Sequence, residues 1–384
     1  MNRHSKHFDT ICVHAGVEPD KVTGAIMTPI YQTSTYVQES PGHPKIYDYS
    51  RAGNPTRTAL EVSLAALEGT KHAISFASGL AAVGAVAQLL NPGDHVLVCD
   101  DVYGGTGRLF RKIFSKYNIH FDFIDMTHAK NIEPHFTKNT KLVWIETPTN
   151  PLLKLIDIES VAKIAKKQGA LTVVDNTFCS PIFQNPTDFG ADIVLHSTTK
   201  YIGGHSDMVG GCLMLNNDDL AEQLKFLQFA AGSVNAPFEA FLLLRSIKTL
   251  SLRMKKHHEN ALLVAKEMQN MNIFSEVIFP GLESHPQHAL AKKQMRGFSG
   301  MISARIHGDF DTVKKYLSRL KYFSLAESLG GVESLVNHPE TMTHASVPAE
   351  HRKKLGISSD LLRFSVGIEN PDDLIEDIKN AAKL

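Results

Sequence analysis

The chain reads as an α/β protein with a mainly parallel sheet, and two features of the sequence predict it. Between about residue 73 and residue 215, short apolar runs alternate with longer segments of helical period, and polar residues recur where the runs end. The runs are 73–76, 96–99, 121–124, 142–145, 171–174, 193–195 and 212–215, and helices are expected at 79–90, 107–117 and 158–168. Continuous apolar runs, rather than alternating ones, suit strands covered by helices on both faces. Ligands in such sheets bind beyond the carboxyl ends of the strands. Here those ends carry Ser78, Asp100, Asp101, Glu146, Asp175 and Ser197.

Residues 238–270 hold no glycine or proline and repeat apolar residues at helical spacing through Phe241, Leu244, Ile247, Leu250, Met254 and Leu262. That predicts one long helix or two abutting ones, bridging domains. Further on, 301–306, the surroundings of Phe323 and 361–366 read as strands, and 310–320 and 371–382 as helices. The last helix opens with Asn370 as cap and Pro371 at its first position. The first fifty residues, rich in Pro, Thr, Ser and Tyr, show little periodicity and read as an extended arm that rests on another subunit. The expected division is an arm at 1–48, a large cofactor-binding domain at 49–245 and a smaller C-terminal α/β domain at 246–384.

Forty lysines and arginines balance forty aspartates and glutamates, so no global field favours nucleic acid, a membrane or an acidic partner. Small-molecule chemistry is the expectation. Cys12, Cys99, Cys179 and Cys212 are widely spaced, which suggests neither a disulfide framework nor a zinc knuckle and fits a reducing cytoplasm. The nineteen histidines are scattered without metal-ligand spacing, so no metal is expected. The basic first residues lead into no apolar run, and nothing later offers about twenty consecutive apolar residues, which predicts a protein neither secreted nor membrane-spanning.

Lys200 follows a buried-strand pattern and has Ser197 and Thr199 within three positions. An amine at the mouth of an α/β sheet beside phosphate-binding hydroxyls suits a pyridoxal phosphate Schiff base, although by itself the segment also suits a surface lysine. The stretch 77–82 follows a strand and opens a helix, so the Gly79 and Leu80 amides could hold a phosphate, or Ser78 could simply cap the helix. Asp175 ends a strand ahead of Asn176 and Thr177, and either caps a helix or keeps a pyridine nitrogen protonated. Tyr103 opens a glycine-flanked loop where its ring could cover a flat cofactor and its hydroxyl could move a proton.

Eight stretches in a fixed order then resemble one family: 49–56, 76–82, 101–106, 146–151, 174–177, 197–201, 326–335 and 343–346. It is the cysteine and methionine metabolism group of pyridoxal-phosphate enzymes, and the resemblance covers nearly the whole chain. It implies the aspartate aminotransferase-like architecture known as fold type I. It further implies that Lys200 bonds the cofactor aldehyde, Asp175 pairs with the ring nitrogen beside Thr177, and Tyr103 stacks on the ring. Phosphate ligands would be Ser78, Gly79, Leu80, Ser197 and Thr199, with Tyr49 and Arg51 reaching the phosphate of a neighbouring subunit in a homotetramer built as a dimer of dimers. Arg363 matches the family's clamp for the substrate α-carboxylate, helped by Asn150 and the backbone of Ser328.

Two positions narrow the expected activity. The family's methionine γ-lyases carry a cysteine two residues after the stacking tyrosine, where this chain has Gly105. Glu327 resembles the γ-lyase and γ-synthase branch, in which an acid can meet the distal amine of cystathionine, and Ser328 to Gly331 departs from the tryptophan-containing β-lyase stretch. The resemblance therefore implies cleavage of the amino acid cystathionine at Cγ, with the γ-synthase reaction as the near alternative and β-lyase as a side activity. A nicotinamide dehydrogenase lacks its G-x-G-x-x-G here, and a non-catalytic sensor would not need Tyr103, Lys200 and Arg363 together.

Overall fold

The structure is a computed structural model that describes residues 6–345 and 347–383. Part of the expected arm (residues 1–5) and Ser346, the last residue of the 343–346 motif, lie outside the described residues. The chain forms two compact units, one of Met1–Asn91 with Asp192–Ser251 and one of Pro92–Ala191 with Leu252–Leu384.

In the first unit a seven-residue helix, Phe8–His14, precedes a long irregular stretch with a two-stranded pair at Gln38–Ser40 and His43–Pro44. That stretch leaves Val22, Ile26, Val37 and Ile46 between 75 and 93% exposed. The helix Pro55–Glu68 starts where Asn54 accepts hydrogen bonds from the Thr56 and Arg57 N–H groups with proline in the first turn, and stops at left-handed Gly69. Strand Gly211–Leu215 pairs antiparallel with both His72–Phe76 and Ile193–His196, with Phe76 opposite Gly211 and His196 opposite Cys212. The two outer strands therefore run the same way and deliver Ser78 and Ser197 to one edge. Helices Asp218–Ala231 and Pro237–Ile247 follow.

In the second unit strands Leu171–Asp175, Thr140–Glu146, His95–Cys99 and His120–Ile124 lie side by side in that order, every pair parallel. Their apolar runs are buried apart from half-buried Leu171 and the edge strand His120–Ile124, as helix-covered strands require. A second sheet orders Phe274–Ile278, Met301–Ile306, Leu361–Ser365, Leu335–Asn337 and Ser324–Leu325. Only its last pair is parallel. Its apolar face packs Ile302, Phe364 and Val336 against Val264 and Met268 and against Tyr316 and Ile378 of the helices Phe310–Arg319 and Pro371–Ala381.

Expected and observed elements agree closely, with instructive differences. The run 238–270 is two helices, Pro237–Ile247 and Leu250–Gln269. The helix expected at 107–117 starts earlier, at Gly104, where a Cβ would stand 2.6 Å from the Thr343 carbonyl oxygen, and closes at Lys112 before a tight turn at Phe114–Tyr117. Near Phe323 the strand shrinks to Ser324–Leu325, and the chain leading into it is held by Asp377. That buried carboxylate accepts the N–H groups of Lys321 (2.8 Å), Tyr322 (2.9 Å) and Phe323 (3.2 Å). Asp377→Ala strands these donors, and we expect it to lower unfolding free energy by about 2–4 kcal/mol. Urea unfolding checks this: Asp377→Asn, which keeps one acceptor, should lose less, and an alanine variant as stable as the parent would refute the anchoring role.

Candidate active site

In the first unit, the strand ending at Phe76 turns at Ser78 into helix Gly79–Ala87. Ser78 caps that helix, its Oγ accepting the Ala81 N–H at 3.0 Å. The Gly79 and Leu80 N–H groups belong to the first turn, where no intrahelical acceptor exists. A Cβ on Gly79 would stand 3.0 Å from the Ser197 Cβ, and one on Gly211 would stand 2.4 Å from the Ser78 carbonyl oxygen. Only glycine lets these three segments converge. After Ser197 the chain folds into a turn in which the Lys200 N–H meets the Ser197 carbonyl (3.2 Å) and the Gly204 N–H meets that of Lys200 (2.7 Å). Thr199 locks this turn to Gly210, donating to its carbonyl (3.2 Å) and accepting its N–H (3.0 Å). The unit thus gathers Ser78, Gly79, Leu80, Ser197, Thr199 and Lys200 at one sheet edge. Tyr49 and Arg51 meet elsewhere on the unit, the guanidinium lying over the Tyr49 and Phe229 rings and donating to the Phe229 carbonyl at 2.8 Å.

In the second unit, acids crowd the strand ends. Glu146 lies opposite Asp175 in the parallel ladder. Burial, and then the Asp175 carboxylate beside it, push the Glu146 carboxyl well above the usual carboxylate range. Its Oε2 accepts the Tyr103 N–H at 2.9 Å, which fixes the loop that carries this tyrosine. Thr177 orients Asp175, donating to its Oδ1 from both N–H (3.0 Å) and hydroxyl (2.5 Å). Tyr103 itself is 40% exposed, and partial burial raises its phenol above the ordinary value, with Glu327 adding to the effect and Arg108 and Arg363 opposing it.

Arg363 is 2% exposed. It donates to Asn150 Oδ1 (2.6 Å) and the Ser328 carbonyl (3.0 Å), and with the Asn337 amide oriented to accept, to Asn337 Oδ1 as well. Ser328 holds a left-handed backbone, φ 81°, a costly conformation for a residue with a side chain and one that strain-bearing sites retain. Around Asn150 the loop is tied from three sides. Thr149 Oγ1 and the Leu152 N–H donate to buried Asp101 (2.5 and 3.1 Å), whose pKa burial raises to about 6. His344 Nε2 meets the Asn150 carbonyl at 3.0 Å, and Ser303 Oγ donates to the Pro151 carbonyl at 2.6 Å.

The model of the Cys/Met metabolism PLP-dependent enzymes matches residues 9–383. This chain belongs to that family. A cystathionine gamma-lyase of Dictyostelium discoideum is 52% identical over 97% of this chain and 96% of its own length. A cystathionine beta-lyase of Coxiella burnetii is 50% identical over 99% of both chains. A crystal structure of cystathionine gamma synthase from Xanthomonas oryzae pv. oryzae in complex with cystathionine superposes with a TM-score of 0.96 at 45% identity, covering 98% of each chain. The protein is therefore a pyridoxal-phosphate-dependent α/β enzyme of fold type I.

The residues present suit that cofactor. Two first-turn amides of a nine-residue helix, which have no intrahelical acceptor, suit an anion, with two hydroxyls and an amine on the adjoining turn. Among the described residues no group of three or more His, Cys, Asp or Glu could hold a metal, and no helix is long and apolar enough to cross a membrane.

Sequence reading missed Asn337, Thr149, Ser303 and the part played by His344. Asn337 becomes a partner of Arg363 only through the register Asn337 opposite Arg363 in a three-residue strand, which no local pattern announces. His344 is visible in its motif, but not its job. Burial, and then Arg363, lower its imidazole to about 3, so it is neutral at pH 7 and its Nε2–H serves the Asn150 carbonyl while Nδ1 faces the Thr343 hydroxyl at 2.8 Å. Because the folded value lies below the unfolded one of about 6.5, this contribution to stability is full above that pH and is lost as pH falls toward 3. His344→Gln, with no proton to take up, should flatten the fall of stability between pH 6 and 4 by up to about 1.4 kcal/mol per pH unit. Denaturant midpoints across this range test it, and parallel declines in parent and variant would count against it.

Proposed function

We propose that the protein is a cystathionine γ-lyase, cleaving L-cystathionine with water to L-cysteine, 2-oxobutanoate and ammonia, and releasing hydrogen sulfide when cysteine itself is the substrate. The observation that carries this reading is the arrangement around Arg363: a buried guanidinium held by neutral acceptors, with exposed Glu327 next in sequence to the Ser328 carbonyl that it grips. The Arg363 guanidinium suits an α-carboxylate, and Glu327 offers the opposite charge to an amine farther along the same substrate. Cystathionine has both groups. Gly105 fits the same reading, since a Cβ there would stand 2.4 Å from the Tyr103 ring, so the cysteine of the methionine-cleaving branch requires a different tyrosine position.

Lys200 would hold the cofactor aldehyde, Asp175 its ring nitrogen, Tyr103 the face of its ring, and Ser78, Gly79, Leu80, Ser197 and Thr199 its phosphate, with Thr177 orienting Asp175. When bound, pyridoxal phosphate supplies an electron sink conjugated to the substrate Cα. Lys200 would serve as the base at the substrate Cα and, once it has passed that proton on and is neutral again, as the base at Cβ, a single mobile base for adjacent carbons. Tyr103, a phenol that carries its proton at neutral pH and that burial raises further, would protonate the sulfur that leaves Cγ. Arg363 and Asn150 hold the carboxylate so that the reacting carbon stays beside both groups.

The working unit is read as a cytoplasmic homotetramer, a dimer of dimers in which Tyr49 and Arg51 serve the phosphate of the neighbouring subunit, each chain divided as arm 1–48, large domain 49–245 and C-terminal domain 246–384. Support comes from the large apolar side chains left in solvent along the irregular stretch before Tyr49, which need a surface to cover them.

Product analysis tests the activity. Cystathionine alone should yield equal amounts of 2-oxobutanoate and cysteine, and Lys200→Ala should abolish turnover. Pyruvate with homocysteine would replace this reading by the β-lyase reaction. Net formation of cystathionine from O-acyl-homoserine and cysteine, without cleavage of cystathionine, would replace it by the synthase. Arg363→Ala should raise KM for cystathionine at least about a hundredfold, the worth of a buried charge-assisted pair.

A further inference from the structure

Arg57 breaks two local rules. It is a cation in the first turn of the helix Pro55–Glu68, where the helix dipole favours an acid, and it is 3% exposed. Something must offset that cost. Its guanidinium spans two successive carbonyls, donating from Nη1 to Ser50 (2.8 Å) and from Nη2 to Arg51 (3.1 Å). These carbonyls belong to a turn in which the Ala52 and Gly53 N–H groups both meet the Tyr49 carbonyl, at 2.9 and 3.0 Å. Asn54 braces the turn from the same helix end, its Nδ2 donating to Ser50 Oγ (3.2 Å), Tyr36 Oη (3.2 Å) and the Tyr31 carbonyl (2.9 Å). One helical turn on, Glu61 provides the opposite charge and is fixed to the strand His72–Phe76 by the Ser75 N–H (2.9 Å) and hydroxyl (3.1 Å).

We propose that Arg57 is a positioning residue for the cofactor phosphate of the neighbouring subunit. It touches no cofactor itself. By locking the backbone of Ser50 and Arg51 it presents the Tyr49 ring and the Arg51 guanidinium as a preformed hook, so that this exposed turn need not be ordered when the phosphate is gripped. The Ser75–Glu61–Arg57 chain also ties the hook to the strand that leads into the same subunit's own Ser78–Leu80 turn. The inference rests on the reading of Tyr49 and Arg51 given above.

Arg57→Ala would leave two half-buried carbonyls without these donors and risks the fold itself, so Arg57→Lys, which keeps the charge but cannot span both carbonyls, is the variant to use. Cofactor is removed from the holoenzyme and titrated back, the yellow absorbance reporting the dissociation constant for pyridoxal phosphate. Arg57→Lys should raise that constant about tenfold, the loss of one charge-assisted bond, and leave kcat at saturating cofactor unchanged. Arg51→Ala should raise it too, and the double variant should bind no more weakly than Arg51→Ala alone. A parental constant in Arg57→Lys beside a raised one in Arg51→Ala overturns the positioning role and leaves the hook standing. Additive losses in the double variant likewise overturn it, since they mark general damage. A parental constant in Arg51→Ala removes the hook and the proposal with it.

Discussion

A buried guanidinium organises the second unit. Arg363 has left water almost completely, and the cost of that desolvation falls only if every N–H finds an acceptor. Its acceptors include the carbonyl oxygens of Asn150, Ser328 and Asn337, whose dipoles solvate its charge. Each acceptor brings its own demand. Ser328 must adopt a left-handed backbone, Asn337 must lie opposite Arg363 in the sheet, and Asn150 must be held on a loop tied to Asp101, His344 and Ser303. The network therefore joins the parallel sheet to the antiparallel one through a single cation.

The acids at the parallel strand ends complete this electrostatics. Glu146, Asp101 and Asp175 arrive at one edge because three parallel strands end there, and their mutual repulsion adds to burial in raising the Glu146 carboxyl. Arg363 acts on Glu146 in the opposite sense and lowers the affinity of His344 for a proton. A neutral imidazole is the outcome, and a neutral imidazole can donate to the Asn150 carbonyl without adding a second cation beside Arg363. Burial first, and then Arg363, keep His344 neutral, and the position of Arg363 depends in turn on the loop that His344 holds.

Much of this was legible in the sequence, and what was hidden has a physical reason. Runs such as Val96 to Cys99 are apolar at every position because helices cover both faces, so their pattern survives without tertiary knowledge. Phe274–Ile278, with only its first residue fully buried, and Leu335–Asn337, three residues long, gain their strand character from partners far away in the chain and carry no comparable pattern. The same division holds at the site. Ser78, Ser197 and Lys200 sit directly after strands and can be found by following the strands, whereas Asn337, Ser303 and Arg57 act through register or backbone carbonyls that only the folded chain brings near.

Gly105 shows how one small residue can govern a larger one. In this structure the space that a side chain at 105 would enter is filled by the Tyr103 ring, at 2.4 Å from Cε1 and 3.0 Å from Cζ. The Tyr103 backbone cannot retreat easily, since its N–H is held by buried Glu146. A substituent at 105 must therefore turn the ring about its own side-chain bonds, moving the phenol relative to Glu327 and Arg363, which act on it from opposite electrostatic sides. Absence of a side chain at 105 is what lets Tyr103 stand where it does.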